Sequence, residues 1–393
     1  STNVAANSNV AAIDLDVDGT SVVTATAGSV TLGSVTDTGA IAEFEVNAGT
    51  DITLNGVALD NATGAPARLL DLNVGTAGGA ADTLTLSDNT DVAVGSITID
   101  GAAGGGADSL SIGANADLRA DNGAITVANI GEIDLAAAGA NVIDASGSVT
   151  LVAVTDTGAI TDLDIVAGTT ASLQAITLSE GTANVDVNTV GAATFNGDVS
   201  TTGSIQLDGA NSIVLAAGDT QTMTFTAGVD FTSDGVNLTA TNANAEDLTI
   251  IADGSVTLGG VNLNGATTDG DLLVTTDNNN DSTGVLTLNG VVDQVSLATL
   301  SGGGTGTSDT IDINANVSTT NGALTLENAS AVNLANVTLT GSTNVAANSN
   351  VAAIDLDAAG AVGLTATAGS VTLGAAVTDT GAITDLDIVA GTT

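Results

Sequence analysis

The chain has no cysteine, histidine, tryptophan, tyrosine or lysine, and a single proline, Pro66. Each absence removes a class of chemistry. Without Cys or His there is no thiol nucleophile, no disulfide framework, no imidazole base and no soft-ligand zinc site. Ser-His-Asp and Cys-His arrangements are therefore impossible. A phosphate loop of the Gly-Lys type is also missing. The only cations are Arg68 and Arg119, against 45 acidic residues, for a formal charge of −43 in 393 residues. Two Arg cannot neutralise a phosphate backbone that the carboxylates repel, which excludes nucleic acid as a partner. No apolar run approaches the roughly 18 residues of a membrane span.

What is present argues for a folded chain. Hydrophobic residues make up 43% and Gly numbers 49. Mean hydropathy is +0.39, whereas disordered chains are poor in apolar residues and rich in proline. No linker or change of texture divides the sequence, which predicts one continuous segment over 1–393. Short alternating runs such as SVTLGSV, AEFEV, DTLTLS and AITV are separated by Gly, Asn and Asp. Period-two alternation, β-branched enrichment and turn punctuation read as strands. No stretch carries a capped 3.6-residue pattern.

Repeats set the architecture. Ser1–Asp16 returns letter for letter at Ser342–Asp357, and Thr155–Thr170 returns at Thr378–Thr393. The phrase GSVTL begins at Gly28, Gly147, Gly254 and Gly369, marking a loose super-repeat. The last copy breaks off at Thr393, whereas its relative at Thr170 runs on into ASLQAITL. This predicts a window cut from a longer array. Two or three short strands with turns recur about every 20 residues, the dimension of one coil of a parallel β-solenoid. Inward Val, Ile, Leu and Ala would stack along the axis, and outward Thr, Ser, Asp and Asn would meet water. Four Phe in the whole chain imply a narrow core. The rival architecture is a tandem array of β-sandwiches, since the super-repeat is about one such domain long.

The runs GSVTLGSVTDTGAI, NGALTLENASAVNLANVTLTG and DGSVTLGGVNLNGA resemble the repeat regions of filamentous-haemagglutinin-like proteins and other giant bacterial surface adhesins. The resemblance implies a right-handed parallel β-helix and a secreted, cell-surface shaft. The Asn-Pro-Asn-Gly motif of that family's secretion domain is missing here. No family site motif is present, so no binding residue carries over.

Candidate chemistry is sparse. Asp14, Asp16, Asp18 and Gly19 spell the opening of a calcium loop, but Ala25 stands where its bidentate acid belongs. A solvated strand face is the simpler reading. In TTDNNNDSTG, Asp277, Asn279 and Asp281 fall at i, i+2 and i+4, where oxygen ligands can converge on calcium. An Asx-rich turn is the plainer alternative. SGGGTGTSD at 301–309 only approximates a calcium nonapeptide. Glu43 with Glu45, and Asp162 with Asp164, are carboxylate pairs of the kind glycoside hydrolysis uses. Sugar clefts, however, carry aromatic platforms, and this chain has no Trp or Tyr. The Thr-x-Thr pairs are too irregular for an ice-binding ladder.

The sequence therefore predicts no catalysis. It predicts an extracellular structural fibre or adhesin shaft that assembles with itself, end to end or laterally, or with further repeats, and meets cell-surface or matrix components. A calcium-dependent adhesive or surface-layer sandwich array is one alternative, and a polysaccharide-active β-helix enzyme is another.

Overall fold

The computed structural model describes residues 4–391, apart from 6–11, 17, 60–67, 76–80, 93–94, 102–107, 115, 217–221, 241–245, 266–268, 281–282 and 304–308. The chain forms two compact units, Ser1–Ala193 and Thr194–Thr393. Among the described residues every regular element is a β-strand. The strand pairings given in register are all parallel, which makes the chain a parallel β-solenoid. A sandwich array needs antiparallel hairpins and Greek keys, so that alternative falls.

Each unit is a stack of coils with three strands per coil, and each strand pairs with its counterpart one coil away. In the first unit, one ladder joins Thr83–Leu86, Ser109–Ile112, Glu132–Leu135 and Val154–Asp156. A second joins Thr90–Val92, Leu118–Ala120, Gly139–Ala145 and Ile160–Ala167. A third joins Arg68–Val74, Gly95–Gly101, Ile125–Ala128 and Val149–Leu151. The second unit repeats the plan. There the first ladder carries Thr222–Ala227, Asp247–Ala252 and Leu272–Thr275, and the third carries Leu238–Ala240, Val261–Asn262 and Val292–Val295.

The coils are longer than the 20 residues that alternation suggests. In the first unit Val149 pairs with Ala171, a step of 22, and Ile97 with Ile125, a step of 28. In the second unit Val317 pairs with Leu339, again 22 apart, while Val261 pairs with Val292, 31 apart. The surplus lies in the corners, whose residues follow no alternation and so leave no periodic trace.

Alternation decides what fills the core. Leu84, Leu110, Ile133 and Val154 stand in register on successive coils, and all are buried. In the second unit Leu248, Leu272, Ala298, Leu324 and Val345 do the same. Fully burying each such side chain stabilises by roughly 1.5–3 kcal/mol. Three of the four Phe meet inside the second unit. Phe195 packs edge-on against Phe225, and Phe225 tilts against Phe231, with 5.4 Å between centroids in both pairs.

A buried ion pair sits in this core. Asp37 ends the strand Val30–Asp37 opposite Leu15 of the preceding coil, an inward position. Its Oδ2 lies 2.9 Å from Nη1 of Arg68, and both side chains are fully buried. The chain must also pass close by. At Gly95, the register partner of Arg68, a Cβ would stand 1.7 Å from the Arg68 carbonyl oxygen, so only glycine fits.

Two outcomes are expected in chemical denaturation. Removing one partner leaves a buried unpaired charge, so Arg68→Met should destabilise the first unit by about 3–5 kcal/mol, and Asp37→Leu added to it should recover much of that loss. Ile133→Ala, which cuts a hole in an aliphatic column, should cost about 2–5 kcal/mol.

Candidate functional site

The acidic residues concentrate where strands end, and the geometry there gives most of them a structural task. Where a strand begins, ends or overhangs its neighbour in the preceding coil, an N–H lacks the carbonyl that would otherwise accept it. A short Asx side chain from the preceding coil takes that place. Asp117 Oδ1 accepts the N–H of Val142 at 3.1 Å. Asp156 accepts two, from Ser179 at 2.7 Å and Glu180 at 2.9 Å. In the second unit Asp198 accepts from Thr224, Asp230 from Ser255, Asn316 from Thr338 and Asn344 from Ser370, at 2.7–2.9 Å. Asp and Asn reach a backbone donor from a turn in this way, while the longer Glu does not. That matches a chain in which all but six of the 45 acids are Asp.

The recurring phrases make a second inter-coil link. Thr38 Oγ1 donates to Asp14 at 2.9 Å, and Thr157 Oγ1 donates to Asp134 at 2.9 Å. In the second unit Thr380 Oγ1 donates to Asp355. That bond, with further donation from the Thr380 N–H and Thr378 Oγ1, holds the Asp355 carboxyl below its ordinary value. Asp14 and Asp16 thus face the Thr38 hydroxyl, and Asp18 Oδ1 accepts the Ala40 N–H at 3.0 Å.

The carboxylate pairs lie on outer strand faces. Glu45 stands in register with Asp71 on the third ladder of the first unit, and Glu43 with Leu69. An amide run accompanies them, since Asn47 donates to Glu45 Oε1 at 2.8 Å and Asn73 donates to Asn47 Oδ1 at 3.1 Å. Burial, then the charges of Glu45, Glu43 and Asp100, push the Asp71 carboxyl up, against a hydrogen bond with Asn73. Burial and Asp164 likewise raise Asp162. Two surface hollows contain neither pair. One of about 440 Å³ is lined by Asn237, Thr239, Asn262 and Asp293, and another of about 180 Å³ by Ser34, Thr36, Asp88 and Asn89.

The structure describes two of the three residues of the suggested calcium loop and sets them in different surroundings. Asp277 is buried, with a left-handed φ of 43°, while Asn279 is exposed, and Asp281 lies outside the described residues. Asp277 turns inward to Asp309, which stands at the corresponding corner one coil later and is also fully buried. Burial, together with the Asp277 charge, raises the Asp309 carboxyl. A second buried pair, Asp82 and Asp108, joins successive corners of the first unit. Burial, then Asp108 and Asp51, raise Asp82. Sequence reasoning missed Asp82 and Asp108, and set aside the 301–309 stretch that ends on Asp309. The only hint was that each ends a Gly-rich stretch and opens a strand.

No family model, no curated protein and no solved structure matches this chain. The arrangement must therefore speak through its own chemistry. It is a ladder of carboxylates, amides and hydroxyls whose bonds run from coil to coil.

The raised carboxyls fix a pH dependence. A group whose value is higher in the fold than its unfolded 3.8 binds its proton more tightly when folded, so its contribution to stability increases as pH falls through that interval. Asp71→Asn should therefore raise the denaturation midpoint at pH 7, and the difference from the unsubstituted protein should vanish near pH 3. A variant midpoint equal to that of the unsubstituted protein at pH 7 as well as at pH 3 would contradict the cost assigned to the buried Asp71 charge and its neighbours.

Proposed function

We propose that the chain is part of a structural shaft, a repetitive β-solenoid that builds a filament or holds a tip away from a bacterial cell surface. The observation that carries this reading is the allocation of polar side chains. From Asp14–Thr38 to Asn344–Ser370, Asx and Thr groups bond one coil to the next. A binding protein would instead leave such groups converging on a ligand. Main-chain ladders and inter-coil side-chain bonds together resist bending and separation of coils.

The charge suits the same task. Stacked strands with apolar faces are prone to lateral association, and a net charge of −43 opposes it. End-to-end contact is the natural form of assembly. In the strands Ala376–Asp379 and Ile383–Ala390, Val377 and Ile388 are 40% and 49% exposed, whereas their register partners Ile354 and Leu364 are buried. In a shaft a further coil, from the same chain or another copy, covers them. The reading is non-catalytic. The carboxylate pairs lie on outer strand faces without aromatic neighbours, which favours structure over glycoside hydrolysis. The resemblance to filamentous-haemagglutinin-like repeats supports an extracellular location. The calcium-dependent adhesive array goes out with its sandwich fold.

Immunogold labelling of intact cells tests the proposal. Antibody against this segment should decorate fibres at the surface, and brief protease treatment of intact cells should remove the label. Label found only after permeabilisation would overturn it.

A further inference from the structure

Two acid pairs depart from the corner rule, and they depart in the same way. Ordinarily an Asx accepts an N–H from the coil that follows it. Here the acid of the later coil reaches back. Asp108 Oδ1 accepts the N–H of Asp82 at 3.0 Å, and Asp309 Oδ1 accepts the N–H of Gly284 at 3.0 Å. In both cases the second oxygen, Oδ2, is buried and receives no hydrogen bond from a donor. Both residues are almost wholly buried, Asp108 at 1% exposure and Asp309 at 0%. A buried carboxylate oxygen without a donor forgoes its hydration for nothing in return, unless something outside the chain supplies the missing interaction.

The surroundings define what that something is. Above Gly75, the position that a Cβ would occupy lies 2.8 Å from Asp108 Oδ2 and 3.1 Å from Asp82 Oδ2. Two carboxylate oxygens from successive coils thus lie close together beside Gly75, where any side chain would press against them. At the other pair the Asp309 carboxyl faces that of Asp277, and Thr276 Oγ1, buried and without a hydrogen-bond partner, lies near Asp277. Glycine again borders the site, since a Cβ on Gly284 would stand 3.0 Å from Thr276 Oγ1.

No side chain of the protein can neutralise either pair. Arg68 is held by Asp37, and Arg119 by Asp117 and Asp144. These are all the cations the sequence possesses. Oxygen-only donors with paired negative charge select a hard cation, and calcium accepts carboxylates, hydroxyls and water at about 2.3–2.6 Å in flexible geometry.

We propose that the pairs Asp82–Asp108 and Asp277–Asp309 are two inter-coil binding sites for a divalent cation of the calcium type, with water completing the shell. Each ion would tie one coil to the next. The inference concerns the stack itself and holds whether or not the chain is a surface shaft.

The test is equilibrium dialysis of the full chain with radioactive calcium, in about 0.15 M salt so that diffuse attraction to the remaining acids is screened. Asp108→Asn and Asp309→Asn keep the Oδ1 acceptor but remove the charge. Each should abolish one tight site, and the double variant should lose both. Asp121→Asn, on an exposed residue, should lose none. An unchanged number of tight sites in a double variant with native far-UV circular dichroism would overturn the proposal, as would the lack of tight sites in the unsubstituted protein. If the variants do not fold, crystals of the unsubstituted protein soaked in a lanthanide decide the matter. Anomalous peaks at the two pairs uphold the assignment, and their absence there refutes it.

Discussion

The parallel, in-register hydrogen bond between coils is the constraint from which the rest of the structure follows. It places each paired strand residue directly over its counterpart 21–33 residues away. Similar side chains must therefore tolerate stacking on one another through many layers. Aliphatic residues do so with gain, which is why Leu84, Leu110, Ile133 and Val154 form a column with no polar interruption. Thr and Asn also do so, because each can both donate to one neighbour and accept from another. Carboxylates cannot, since ionised they only accept. A chain with 45 acids and two cations must therefore distribute its acids against hydroxyl, amide and backbone donors.

That distribution explains the composition better than any single site does. At corners the freed N–H groups need acceptors, and Asp and Asn supply them at the cost of charge in the case of Asp. On the strand faces Thr38, Thr157 and Thr380 intervene so that Asp14, Asp134 and Asp355 meet a hydroxyl in the next coil rather than another acid. Where an acid meets an acid instead, as at Glu45 and Asp71, burial first and then the neighbouring charges hold the Asp71 carboxyl above its usual value. Exposed acids can dissipate repulsion into water and salt. Buried pairs such as Asp82 and Asp108 have no such outlet.

The fold was largely legible in the sequence because it rests on alternation, which is local. Strands, their inward faces and the solenoid class can all be read from runs such as DTLTLS and AITV together with the repeated phrases. Coil length was not legible, because it is set by corners whose residues follow no period. The suggested calcium loop illustrates the difference. Asp277 and Asn279 are adjacent in pattern, yet the left-handed turn at Asp277 sends one inward and leaves the other in water. The residue that Asp277 does meet, Asp309, lies one coil further on at a distance no fixed spacing predicts.

The phrase VTDTGAI makes the same point within a single string of letters. Its acid occurs as Asp37, Asp156 and Asp379, and each time the register sets it opposite a leucine of the preceding coil, Leu15, Leu135 or Leu356. The identical local sequence thus ends a strand each time and sets its acid at the same register position. What the carboxylate then finds depends on the coil that follows. Asp37 meets the guanidinium of Arg68, Asp156 meets two backbone N–H groups, and Asp379 is exposed. In a solenoid the sequence of a coil determines its own shape, but the chemistry of its side chains is completed by its neighbours. A site in such a protein is therefore a property of two coils, and reading one requires the register between them.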